Sequence, residues 1–107
     1  MSPDKNYMVV IRPGAFNVHV EELESVPKLE KLKWGLNGGL LEIVPFFNKF
    51  MGRTCIAFCD EEGKNKGLMP NERAQALWDK VYPVYGRDYL VGPIVIIIGS
   101  QGFLARL

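Results

Sequence analysis

The sequence predicts an α+β fold: one domain, residues 1–107, with a mixed or antiparallel sheet of about five strands and two helices in the order ββαββαβ. Three observations predict it. Short β-branched and aromatic runs recur between turn residues, as strands do. Two segments place apolar residues at helical spacing. The run Ile94-Val95-Ile96-Ile97-Ile98 carries no polar residue on either side, the mark of a strand buried on both faces.

Residues 1–6 are a polar lead-in. Tyr7 to Ile11 reads as the first strand, and Arg12-Pro13-Gly14-Ala15 as a turn, with proline presetting φ and glycine free to take it positive. Phe16, Val18 and Val20 alternate with Asn17, His19 and Glu21, so the second strand should turn the apolar set inward and leave His19 facing solvent. The first helix should be capped by Ser25, carry Pro27 in its first turn, align Val26, Leu29, Leu32 and Leu36, and end at Gly38-Gly39. Trp34 lies nearly opposite that stripe; it either anchors an interface or ligand, or packs inward where the helix frays.

Leu40 to Phe46 reads as the third strand, Phe47 to Arg53 as an apolar loop, and Thr54 to Cys59 as the fourth strand. Asp60-Glu61-Glu62-Gly63-Lys64 reads as a polar turn with Gly63 at positive φ, followed by a short extended piece from Lys66 to Met69. The second helix starts at the N-cap Asn71, with Glu72 in its first turn. Ala74, Leu77, Trp78, Val81 and Tyr82 form its stripe, and Pro83 stops it. The last strand spans Tyr89 to Gly99 with an interruption at Gly92-Pro93, and residues 100–107 are an apolar tail. Both helices are expected on one sheet face, which leaves the other face of the last strand, or the tail, for a second copy of the chain: a homodimer or higher oligomer.

Composition narrows the function. With 107 residues, 48% hydrophobic and 23% charged, the chain is ordinary globular protein. Thirteen basic against twelve acidic residues give a net charge of +1, so bulk-charge nucleic-acid binding is not expected. Cys55 and Cys59 lie about 13 Å apart on one strand, beyond the roughly 7 Å a disulfide allows. Free thiols fit a reducing compartment, and no apolar run approaches membrane-spanning length, so a cytoplasmic protein without membrane partners is expected.

The residues offer little to catalysis. His19 is the one histidine, and Ser2, Ser25 and Ser100 sit in no nucleophile-elbow context. The two cysteines lack partners for zinc, Asp60-Glu61-Glu62 lacks a calcium-loop pattern, and there is no dinucleotide or P-loop motif. No cofactor, metal or catalytic residue is expected, and a weak hydrolase using Asp60, Glu61 or Asp88 is the least favoured class. The candidate ligand-binding residues form three groups. Lys64, Lys66 and Arg73 gather near the second helix's N-terminus with Asn71, as an anion site would. Trp34 is a spare aromatic. Tyr85, Arg87 and Asp88 mix aromatic and charged groups in a loop bounded by Tyr82 and Tyr89, the composition of a recognition surface.

Taken in order, Val10-Ile11-Arg12-Pro13-Gly14, Gly38 to Val44, Asp60-Glu61-Glu62-Gly63-Lys64, Gly67 to Ala74 and Asp88-Tyr89-Leu90-Val91-Gly92 resemble a family of small phage and plasmid proteins classed as a domain of unknown function. The resemblance covers roughly Tyr7 to Gly99. It implies an accessory protein of a mobile element and brings no catalytic residues with it. By analogy of context, such a protein counters host defence in the host cytoplasm by sequestering a small anionic ligand such as a nucleotide-type immune signal. The alternative is an inhibitor that blocks a host defence protein through an apolar patch of Phe46, Phe47, Phe50 and Phe103.

Overall fold

In the computed structural model, which describes residues 1–14, 18–83 and 88–107, β1 (Asn6–Ile11) and β6 (Ile94–Ile98) run side by side at the centre of an antiparallel sheet. β2 (His19–Leu23) pairs with β1 on one side; β5 (Arg53–Asp60) pairs with β6 on the other and carries β3 (Leu41–Ile43) at the far edge. The strand order is β2-β1-β6-β5-β3, and β4 (Lys49–Phe50), a two-residue strand within the expected apolar loop, turns back onto β5. With α1 (Leu29–Gly35), α2 (Glu72–Val81) and α3 (Gln101–Leu104), this is the α+β architecture that the sequence predicts, enlarged by one short strand and one short helix.

The helices do not share a face. Strand alternation sends Tyr7, Val9, Ile11, Ile94, Ile96 and Ile98 toward α2, where they pack with Ala74, Trp78 and Phe47. It sends Met8, Val10, Val95 and Ile97 the other way, onto Leu32 and Leu36 beside α1 and onto Phe103 and Leu104 of the tail. Ser100 caps the tail's single turn by accepting from the Phe103 N–H, so the apolar chain end is a plug in the chain's own core. Ile94–Ile98 is thus buried on both faces by this chain alone, and its burial supplies no reason for a second copy.

Several local expectations need correction. β2 is inverted: Val10 pairs with His19, Met8 with Glu21 and Asn6 with Leu23, so His19 and Glu21 share the α1 side with buried Leu23 while Val20 is exposed. Burying Leu23 fixes this register, and a one-residue slip would reverse every side chain. Phe16 lies outside the described residues. α1 starts at Leu29, not near Ser25; its N-cap is Lys28, without a side-chain cap, and Leu29 is exposed. Its end is a Schellman turn, with the Gly38 N–H on the Lys33 carbonyl at 2.7 Å and the Asn37 N–H on Trp34 at 3.1 Å. The left-handed residues there are Asn37 and Gly38, whereas Gly39 is needed because a Cβ would fall 2.5 Å from the Asp60 carboxyl carbon. Gly63 is not at positive φ; a Cβ there would lie 2.9 Å from Val91, and the positive φ of this turn belongs to Gly67. The chain from Lys66 to Met69 is turn followed by irregular chain, with a single bridge from Pro70 to Val91.

Candidate functional site

Asn71 organises the surface around α2. Its Oδ1 accepts from the Ala74 N–H at 3.1 Å, and its amide donates to the carbonyls of Ile11 (2.8 Å) and Gly92 (2.9 Å). The side chain is buried and all its polar atoms are used, so it ties the end of β1, the head of α2 and the approach to β6 together. The Trp78 indole N–H donates to the Pro45 carbonyl at 2.8 Å, and Gln75 accepts from the Leu90 N–H at 2.8 Å. Held at both ends, α2 presents a second stripe outward: Arg73, Ala76, Leu77 and Lys80.

Among the described residues four depressions border this helix; one, of about 200 Å³, lies over Glu72, Gln75, Ala76 and Asp79, and three flank it. The first, about 180 Å³, lies between the β3–β5 edge, Trp78 and residues 88–91. Two of its four carboxylates, Asp60 and Asp88, are paired with lysines, and Glu42 and Glu61 also line it. Lys64 pairs with Asp88 and sits 4.3 Å from the Tyr89 ring centre, while Lys66 pairs with buried Asp60 at 2.7 Å. Burial pushes the Asp60 carboxyl up, but Lys66 and the Glu62 N–H outweigh it and hold it below the ordinary value of 3.8. On β5, burial pushes the Cys55 thiol up to about 12 and, with help from Glu42, the Cys59 thiol up to about 11. Both are free thiols, and neither is poised as a nucleophile.

The second depression, about 350 Å³, opens at the head of α2 between Arg12, Met69, Glu72 and Arg73. The Arg12 guanidinium lies 5.7 Å from the Trp34 ring centre, and His19 meets the same ring edge-on at 5.2 Å. Trp34 is 53% exposed, so it does not pack inward. His19 is half-buried beside it, 3.2 Å from Glu21, rather than facing solvent alone. Lys31 holds the Glu21 carboxyl below its usual range.

The third is a groove of about 360 Å³ along the outward stripe of α2, walled opposite by Ile11, Val18, Phe50 and Met51. Its rim is strained. Met51 and Gly52 form the two-residue β4–β5 turn with φ of 51° and 80°, a type I′ geometry that favours Asn-Gly. Phe46, which does not line this groove, has φ of 61° and stacks on Tyr82 beyond the end of α2, at 4.5 Å between ring centres. Met51 is 77% exposed and Phe46 61% exposed.

The expected site residues therefore separate. Lys64 meets Asp88, Lys66 meets Asp60, and Arg73 lines other depressions, so these three cations do not form one cluster. Asn71 is internal and Trp34 lies on the α1 side; Tyr85 and Arg87 fall outside the described residues. The proposed aromatic patch also divides, because Phe47 is buried in the α2-side core and Phe103 in the opposite one. Sequence reasoning missed Arg12, Met51 and, on the outward stripe of α2, Ala76 and Lys80; it named Arg73 for a different cluster and gave Leu77 to the core alone. The stripe was visible as a second i, i+3, i+4, i+7 set; Arg12 and Met51 needed the turn geometry.

A family model described as "Domain of unknown function (DUF3846)" matches residues 5–104. The chain belongs to that family. No curated protein and no solved structure matches it. Segments 38–44, 60–64 and 88–92 line or border the first depression, and 67–74 backs it through Leu68 against Gly92 and Pro70 against Val91. What they share there is mutual support: Gly39 admits Asp60, Asp60 holds Lys66, and Asn71 holds Gly92. No helix among the described residues is long and apolar enough to cross a membrane, and no group of three metal-ligating side chains occurs among them.

Proposed function

We propose that this protein works by binding, without turnover, and that it captures a protein partner on the α2 side, as an accessory protein that blocks a host defence protein would. One observation carries this reading. Two bulky apolar residues, Phe46 and Met51, are held at φ of 61° and 51° and are still more than half exposed, Phe46 with one contact to the Tyr82 ring. A non-glycine residue in that region costs about 1–2 kcal/mol, and such outliers gather where a surface is used. The acidity shifts agree, since they mark thiols made inert by burial and a carboxylate committed to a structural ion pair. The mobile-element and defence setting comes from the sequence resemblance alone.

The test is a pull-down from host cells expressing the tagged protein. A stoichiometric protein partner retained by the wild type and by Arg12→Ala, but lost with Met51→Asn, supports the reading. A partner that ignores Met51→Asn, or none at all, removes it.

A second reading is favoured by a separate observation: Arg12 and Arg73 line one depression at the head of α2, and Arg12 also sits beside exposed Trp34. Two arginines on one lining, Arg12 beside an aromatic, suit an anionic, nucleotide-type ligand, with the Glu72 carboxylate of the same lining counting against it. Thermal shift with cyclic and ADP-ribose-type nucleotides tests it. Stabilisation abolished by Arg12→Ala favours sequestration, and no shift with any of them dismisses it.

A further inference from the structure

We infer that the outer edge of β3 takes an extended, basic segment of the partner as a further antiparallel strand; this rests on the protein-binding reading above. β3 is the last strand on its side of the sheet. The Leu40 carbonyl accepts from the Glu61 N–H at 2.8 Å, and the Val44 N–H donates to the Ala57 carbonyl at 2.9 Å. The ladder alternates, so the backbone groups of Glu42 also face β5, while the N–H and C=O of Leu41 and Ile43 face away from it. No described strand pairs with that side. Ile43 is 60% exposed, and Leu40 beside the strand is exposed as well. An edge of this kind is a template for another extended chain; a helix, whose backbone groups are already used, has nothing to pair with it.

Charge selects the sequence of that chain. Glu42 points to the same side of the sheet as buried Val44, toward the first depression, which Glu61 also lines. Neither carboxylate is paired with a cation among the described residues, and Glu42 has only the Cys59 thiol, at 3.9 Å. A strand added to β3 places one residue directly opposite Glu42 on the same face, and its neighbours opposite Leu41 and Ile43 on the other. The complement is a lysine or arginine between two apolar residues. A second copy of β3, paired Leu41 to Ile43, would instead set Glu42 against Glu42, like charges directly opposite. The other margins suit this segment less. On β2, Glu21 already holds His19 and Lys31, and Glu22 holds Lys5; β4 is two residues long and carries Lys49.

The experiment titrates the isotope-labelled full-length protein, followed by NMR, with three end-capped peptides of about eight residues, the length of a long strand. One alternates valine with lysine and one valine with glutamate. The third is the lysine peptide with its valine nitrogens methylated, which removes the N–H groups that would face β3. The lysine peptide should shift the Leu41 and Ile43 amide signals and bind about 10-fold tighter than the glutamate peptide; the methylated peptide should not bind. Glu42→Lys should reverse the order of the first two. Ile43→Pro should abolish binding with circular dichroism unchanged, because an edge strand tolerates proline where the N–H faces outward. Should that variant unfold, the Glu42→Lys reversal and the methylated peptide decide. Equal binding of the lysine and glutamate peptides, binding of the methylated peptide, or no binding at all overturns the proposal. A wild-type dimer in sedimentation that Ile43→Pro dissociates means that a second copy occupies the edge, and overturns it too. The protein-binding reading is independent of these outcomes, because the Met51→Asn pull-down decides it.

Discussion

The two faces of the sheet are built from the same strands and finished differently. On the α1 side, Leu32, Leu36, Phe103 and Leu104 close over Met8, Val10, Val95 and Ile97, and Gly35 lets the helix approach so near that a Cβ would fall 2.5 Å from Val95. On the α2 side, Trp78 and Ala74 cover the centre, but the margin is left open, with strained, exposed Met51 beside a groove and strained, exposed Phe46 stacked on Tyr82. The difference teaches where to look for function. Both margins keep apolar side chains in water, Leu29 and Trp34 on the α1 side and Met51 on the α2 side, so what marks the α2 side is that its exposed Phe46 and Met51 are also strained.

The largest expected effect breaks the closed face. Phe103→Ala should cost about 3–4 kcal/mol in urea unfolding, because a buried aromatic leaves a cavity. A loss below about 1 kcal/mol would mean that the tail does not seal this face. Next, Asn71→Ala on the α2 side should cost about 3 kcal/mol, since two carbonyls and a helix N–H lose their partner together. If the loss is only that of an ordinary N-cap, about 1 kcal/mol, Asn71 does not join the elements as described. Gly35→Ala should destabilise by about 1–2 kcal/mol through overpacking against Val95, despite alanine's better helix propensity; a stabilised variant would show the closed face to be loosely packed.

Met51→Asn sharpens the contrast from the open side. Relieving the turn should raise stability by about 1 kcal/mol, roughly 4–8 °C in Tm for a domain of this size, while weakening partner capture. No gain in Tm would remove the strain argument. The smallest effect is acid sensitivity. The Asp60 carboxyl titrates lower in the folded chain than its ordinary 3.8, so its contribution is present above 3.8 and is lost as pH falls through the folded value. Between pH 5 and pH 3, the urea midpoint should fall less in Asp60→Asn than in the wild type.

Most elements were legible because they depend on local rules. The α2 stripe, its Asn71 cap and the apolar run of β6 follow from spacing and capping chemistry. The site was less legible. Lys64, Lys66 and Arg73 are close in sequence, yet carboxylates at Asp88 and Asp60 draw the lysines away, and Asp60 is only available because Gly39 makes room for it. The apolar margin was hidden for a similar reason: in sequence Phe46, Phe47 and Phe50 look alike, but one stacks outside, one is buried and one is half-buried.

By itself the sequence determined which segments become strand or helix, because side-chain alternation, helical stripes and capping residues act over a few neighbours. Only the tertiary structure decided that the helices lie on opposite faces, that β2 turns His19 inward and Val20 outward, and that the tail closes the core. Those outcomes depend on which distant residues meet, and contact between residues far apart in the chain is set by packing the whole sheet at once.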